Sequence, residues 1–177
     1  MVKMNILGIT GSLRKGSSNT AILIAAQKLS PENMEIQITD FIGKLPHFNP
    51  DLDKDDVDSS VIEWRGKLAL ADGFLISCPE YAHGVPGSFK NALDWVVSSG
   101  EFMYKPVLFL NASPIVKASL TETLSVMTAN VLSDASIQIP FLRNKTDKEG
   151  NLILEEENKI KIISCLNALY DARQKSD

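Results

Sequence analysis

Apolar residues along this chain fall into short runs separated by longer stretches in which they recur every three or four positions. The runs predict strands, and the recurring stretches predict helices. Lys3 to Ile9, "KMNILGI", is the first strand. From about Ser18 to Leu29, Ala21, Ile22, Ala25 and Leu29 share one helical face. Met34 to Thr39 is the second strand, followed by a polar, proline-bearing loop over 40–56. Ser60 to Leu70 reads as a helix opened by a Ser60–Glu63 capping box. Gly73 to Ser77, "GFLIS", is apolar throughout, as a strand covered on both faces should be. A helix over 88–97 buries Phe89, Leu93, Val96 and Val97, with Pro86 near its first turn. Pro106 to Asn111 is the fourth strand. Ser119 to Leu132 is a helix with a second capping box at Ser119 and Glu122. Ala135 to Phe141 is the fifth strand, and a helix from about Glu155 to Arg173 closes the pattern.

Strands alternating with helices predict an α/β fold: a three-layer, doubly wound, five-stranded parallel sheet. No repeat or linker interrupts it, so residues 1–177 are read as one domain. In such a sheet ligands bind beyond the carboxyl ends of the strands, where the strand order reverses. The loops after strands one, three and four are therefore where the function is sought.

Composition narrows the classes. Net charge is -4 and no basic run is present, which argues against a nucleic-acid partner. No apolar segment reaches the ~18–20 residues that span a bilayer. The opening "MVKMNILGIT" reads as a buried strand and not as a signal peptide, so a cytoplasmic protein is expected. Cys78 and Cys165 have no framework spacing and read as reduced core thiols. With only His47 and His83, no metal site is expected. Asp51, Asp53, Asp55 and Asp56 lack the glycine and final glutamate of a calcium loop.

The loop after strand one, "GITGSLRKGSSNT", nearly matches the triphosphate-binding pattern G-x-x-x-x-G-K-[ST], but Ser17 stands where the lysine belongs. What remains is a helix N-terminus, whose free N–H groups and dipole favour an anion. Ser12, Ser17 and Thr20 add hydroxyls, Asn19 an amide and Arg14 a guanidinium fork. Without the lysine and a nearby metal-binding carboxylate, triphosphate hydrolysis lacks its electrostatics. The cluster suits a single terminal phosphate, and a plain polar turn before a capped helix is the alternative. The loop after strand three, "PEYAHGVPG", is stiffened by Pro79 and Pro86, and Tyr81 offers a flat face either to a planar ligand or to the helix beneath it.

Together, "GSLRKGSSN" and "PEYAHGVPGSFKNALDW", with "LPHFNPDLD" between them, closely resemble the signatures of the flavodoxin-like NAD(P)H-dependent FMN reductases, a family that includes quinone, azo and chromate reductases. The resemblance runs from strand one to about strand five. It implies non-covalently bound FMN, with Ser12, Arg14, Ser17, Asn19 and Thr20 at its phosphate. It also implies that Pro79, Glu80 and Tyr81 line the isoalloxazine ring and that the Asn111–Val116 loop, including Ser113, borders it. NADPH or NADH would pass a hydride to the flavin, and a quinone, free flavin or similar small acceptor would take the electrons. A homodimer or homotetramer is implied in the same way. Many family members carry Asn and Ser where this chain has Ala82 and Gly84, with His83 between them.

Hydride transfer needs no protein base, because the flavin carries the chemistry. No catalytic side chain is therefore expected. A proton-delivering role for His83, in the loop beside the ring, is the alternative, and Lys117 either puts a positive charge near the ring or is simply solvated. Trp64 and Trp95 read as packing or subunit-contact residues. A flavodoxin-type electron carrier and a non-catalytic FMN-binding regulatory domain are the alternative functions. The physiological acceptor and the NADPH-versus-NADH preference are not encoded in any motif of the chain.

Overall fold

The computed structural model describes residues 3–111, 113–139, 147 and 151–175. Five parallel strands form one sheet: β1 (Met4–Thr10), β2 (Met34–Thr39), β3 (Gly73–Ser77), β4 (Pro106–Phe109) and β5 (Asn130–Val131), in the order β2-β1-β3-β4-β5. This is the flavodoxin-like doubly wound order, with its reversal between β1 and β3. The helices are α1 (Ser18–Lys28), α2 (Ser59–Ala69), α3 (Gly87–Asp94), α4 (Pro114–Val126) and α5 (Glu156–Gln174).

Alternation along the strands separates two cores. Leu7, Ile9, Phe74, Ile76, Val107 and Phe109 point to one face and pack with Trp64 and Leu68 of α2, Phe89 and Leu93 of α3, and Leu120 and Leu124 of α4. Met4, Ile6, Leu75 and Leu108 point to the other and pack with Ile22, Leu23 and Ala26 of α1 and Ile162, Leu166 and Leu169 of α5. Each fully buried side chain of this size contributes about 1.5–3 kcal/mol through removal from water. Trp64 and Trp95 are both in the interior. Trp64 donates its indole N–H to the Ala92 carbonyl at 3.0 Å and stacks on Phe41. Among the described residues no helix is long and apolar enough to cross a membrane.

Four expected boundaries differ. Helix α3 ends at Asp94, and Val97, expected on its buried face, is exposed beyond it. The cap of α2 is Asp58, whose Oδ1 accepts from the Ser60 N–H at 2.8 Å and from the Ser60 hydroxyl, so Ser60 lies inside the helix. Helix α4 starts five residues earlier than expected and ends at Val126. Ser113 caps it and Pro114 occupies the first turn, where a missing N–H is harmless. Ser119 is therefore mid-helix, its carbonyl accepting from the Thr123 hydroxyl. The edge strand is also earlier and broken. Asn130 and Val131 pair with β4, Ser133–Ser136 makes a turn, and Ile137 rejoins the sheet by bridging Leu110. Ser136 explains the interruption: its hydroxyl donates to the Leu132 carbonyl and accepts the Phe109 N–H, doing the work of a ladder residue. Pro140 and Phe141, in the expected strand, lie outside the described residues.

The loop after β2 is strapped to α2 and α3. The Trp95 indole N–H and the Asn91 side-chain amide both donate to the Pro46 carbonyl, at 2.8 and 2.9 Å. Arg65 Nη2 reaches Asp53 at 2.8 Å, and the Ser98 hydroxyl donates to the other Asp53 oxygen at 2.6 Å. The Ser98 hydrogen bond and then the Arg65 guanidinium hold the Asp53 carboxyl below the usual carboxylate range. A depressed folded-state pKa stabilises the fold fully above the unfolded value, near pH 3.9, and the benefit is lost as pH falls through the folded one. Asp53→Asn is therefore expected to cost about 1 kcal/mol at pH 7 and progressively less as pH falls below the unfolded value. Urea unfolding of both proteins at neutral and at acid pH checks this, and an equal deficit at both would contradict it.

Candidate functional site

Strand β1 pairs with β2 on one side and β3 on the other, and the chain leaves β1 and β3 toward opposite faces, to α1 and α3. A crevice opens where they part. The two exits touch at its floor. The Gly11 N–H donates to the Ser77 carbonyl at 2.8 Å, and a Cβ at Gly11 would lie 2.6 Å from Cys78 Sγ. Burial alone pushes the Cys78 thiol up to about 12 and is the larger influence on Cys165, at about 11, so both are neutral, inert thiols near neutral pH.

The loop from Gly11 to Ser17 is held from within. Buried Thr10 accepts both the Ser12 N–H, at 3.3 Å, and the Thr20 hydroxyl, at 3.1 Å. Gly16 turns the chain at φ +69, a conformation glycine adopts without strain. Ser17 then caps α1, its Oγ accepting from the Asn19 N–H at 3.2 Å. Ser12 Oγ accepts the Arg14 N–H at 3.3 Å. Because both serines accept through a lone pair, each keeps an O–H to donate outward. Asn19 is buried, with its side-chain oxygen bonded to the Ser77 hydroxyl at 3.0 Å. Among the described residues, the backbone amides of Lys15, Gly16, Ser17 and Ser18 have no partner in the chain. Arg14 and Lys15 are exposed beside them.

After β3, Tyr81 and Gly84 exchange backbone hydrogen bonds at 3.1 and 3.0 Å around Ala82 and His83, whose φ values are +49 and +58. This is a type I′ turn built without its usual Asn or Gly. The positions where many relatives of the resembled family carry Asn and Ser are thus a left-handed turn residue, Ala82, and the turn's closing residue, Gly84. After β4, Asn111 also takes a left-handed conformation, at φ +60, and its side-chain oxygen accepts the Ile139 N–H at 3.3 Å. Ser113 caps α4 by accepting the Val116 N–H at 3.3 Å and donates its hydroxyl to the Glu80 carboxylate, which ties the second and third loops together. His83 Nδ1 lies 3.2 Å from the other Glu80 oxygen. Lys117 turns away, its ammonium donating to the Ser133 carbonyl on the β5 side.

A cleft of about 560 Å³ runs across these loops, lined by residues 12–21 with Ile24, Asp40, Pro79, Tyr81 and Leu152. It brings together Ser12, Arg14, Ser17, Asn19, Thr20, Pro79 and Tyr81. Glu80, Ser113 and His83 form a separate hydrogen-bonded group beside Tyr81 and do not line it. Thr10, Ser77 and Asp40 were missed in the sequence. All three were findable, because each stands at or just past the carboxyl end of a predicted strand.

The family model described as NADPH-dependent FMN reductase matches residues 4–143. The NAD(P)H-dependent FMN reductase of Pseudomonas aeruginosa is 32% identical over 165 residues, covering 89% of each chain. A quinone reductase of Escherichia coli is 28% identical over 163 residues, covering 87% of each. Among solved structures, the flavoenzyme NAD(P)H:(acceptor) oxidoreductase FerB of Paracoccus denitrificans superposes with a TM-score of 0.84 at 26% identity, covering 97% of this chain and 98% of its own. With the sheet order, the donor-rich loop after β1 and a match across most of its length, the chain belongs to the NADPH-dependent FMN reductase family.

Proposed function

We propose that the cleft holds FMN non-covalently, takes a hydride from NADPH or NADH onto it, and passes the electrons to a small acceptor such as a quinone or free flavin. The observation that carries this reading is the set of unpartnered amides over Lys15–Ser18, with the Ser12 and Ser17 hydroxyls and Arg14 beside them. These donors suit the oxygens of one phosphate, and the loop has no lysine to neutralise a triphosphate. Asn19 and Thr20 support the phosphate loop chiefly from inside, through Ser77 and Thr10. Pro79 and Tyr81 would flank the ring, and Glu80 and Ser113 would hold the two ring-side loops in register. Bound FMN supplies the hydride chemistry, and the chain supplies position and a partly water-free surface.

The cytoplasm is the compartment that two reduced, buried cysteines suit, and a homodimer or homotetramer is the assembly expected by resemblance to the family. Titration with FMN, FAD and ATP tests the site. FMN should bind most tightly, and tighter binding of ATP would rule the reading out.

A further inference from the structure

We propose that His83, held by Glu80, donates the proton that a quinone acceptor takes up as it is reduced. This rests on the FMN-reductase reading and assigns a role to side chains that lie outside the cleft lining. Glu80 is committed on both oxygens, one to the Ser113 hydroxyl and one to His83 Nδ1 at 3.2 Å. Ser113 is in turn fixed as the cap of a 13-residue helix. The imidazole therefore stands on a carboxylate anchored to a second loop, and its backbone is fixed in the Tyr81–Gly84 turn.

Glu80 requires a proton on Nδ1, so Nε2 faces outward, on a side chain 85% exposed and two residues from the cleft-lining Tyr81. The only other histidine, His47, sits in the strap over α3. Arg14, which lines the cleft with Tyr81, does not release protons, and Lys117 is bonded to the Ser133 carbonyl on the β5 side. An imidazolium has the acidity that proton delivery near neutral pH requires.

A proton is needed because hydride transfer alone leaves the product charged. The quinone would take a hydride from the anion that hydride addition to FMN leaves, breaking the N5–H bond, and gain one O–H bond while its second oxygen becomes an anion. The His83 Nε2–H bond breaks as the second O–H forms, leaving neutral imidazole, oxidised FMN and hydroquinone. Solvent then returns the proton to Nε2. Reduction of FMN by NAD(P)H needs no such donor, so the two half-reactions should respond differently.

The test uses FMN-loaded enzyme and rapid mixing. His83→Gln is expected to slow reoxidation of the reduced enzyme by benzoquinone by about 10²-fold or more, while its reduction by NADPH stays within about tenfold of wild type. Reoxidation by ferricyanide, which takes single electrons and no proton, should likewise stay within about tenfold. Glu80 is a positioning residue, and its readout is independent of turnover. In ¹⁵N NMR the neutral His83 ring of the wild type should be the Nδ1–H tautomer. Glu80→Gln should shift it toward the Nε2–H form favoured in water. An unchanged quinone rate in His83→Gln, a parallel loss in all three rates, or an Nε2–H tautomer in the wild type would each overturn the proposal. Failure of NADPH to bleach the wild-type flavin would instead overturn the proposed function, and this inference with it.

Discussion

Arg14→Ala is expected to weaken FMN binding by about ten- to a hundredfold and to leave riboflavin binding almost unchanged. Arg14 stands exposed at the rim of the loop after β1, with no ion pair among the described residues, so its guanidinium is available to a ligand. Its backbone N–H is fixed by Ser12, which sets where the side chain departs. A charge-assisted hydrogen bond to phosphate contributes roughly 1.5–3 kcal/mol, and 1.4 kcal/mol is a decade in affinity. Riboflavin has no phosphate and shares the rest of the site, so it separates a lost contact from a damaged fold. Equal losses for the two ligands would show that Arg14 acts through the loop's conformation.

Gly11→Ala should damage both the fold and the site. The added Cβ would meet Cys78 Sγ at 2.6 Å and Cys78 Cα at 3.1 Å. The second contact is with backbone, so no rotamer change relieves it. Overpacking of this kind costs about 1–3 kcal/mol, and the least costly relaxation separates the exits of β1 and β3. FMN bridges those exits in the proposed site, so its affinity should fall with stability. Cys78→Ala in the same chain removes the sulfur but not the backbone contact and should restore only part of the loss. Urea unfolding and FMN titration of the single and double variants measure this. A Gly11→Ala protein with wild-type stability and affinity would show that the floor of the crevice yields freely.

How much of this was legible in the sequence varied with the range of the interactions involved. Strands β1, β3 and β4 announced themselves, because a strand covered on both faces must be apolar almost throughout, and edge strand β2 did so by its alternation of apolar and polar residues. The start of α4 was written in Ser113–Pro114, a local cap signal that the later Ser119–Glu122 spacing obscured. The broken edge strand was not legible. Asn130 and Val131 form a strand only because the free edge of β4 is there to pair with, and β pairing is a contextual preference.

The same division runs through the site. By itself the sequence determined the architecture, the family and the donor-rich loop after β1, since these depend on residue order: alternating periods, two glycines, a capping serine and an arginine within one turn of each other. Tertiary structure decided which donors remain free for a ligand. Thr20 and Asn19 look identical to Ser17 as candidates until Thr10 and Ser77, brought alongside by the first strand and by its neighbour β3, engage them. It also decided that Glu80 joins Ser113 and His83, and that Lys117 leaves for Ser133. A hydrogen-bonding group's chemistry is carried by the chain, but whether that group is already satisfied depends on neighbours that only folding brings together.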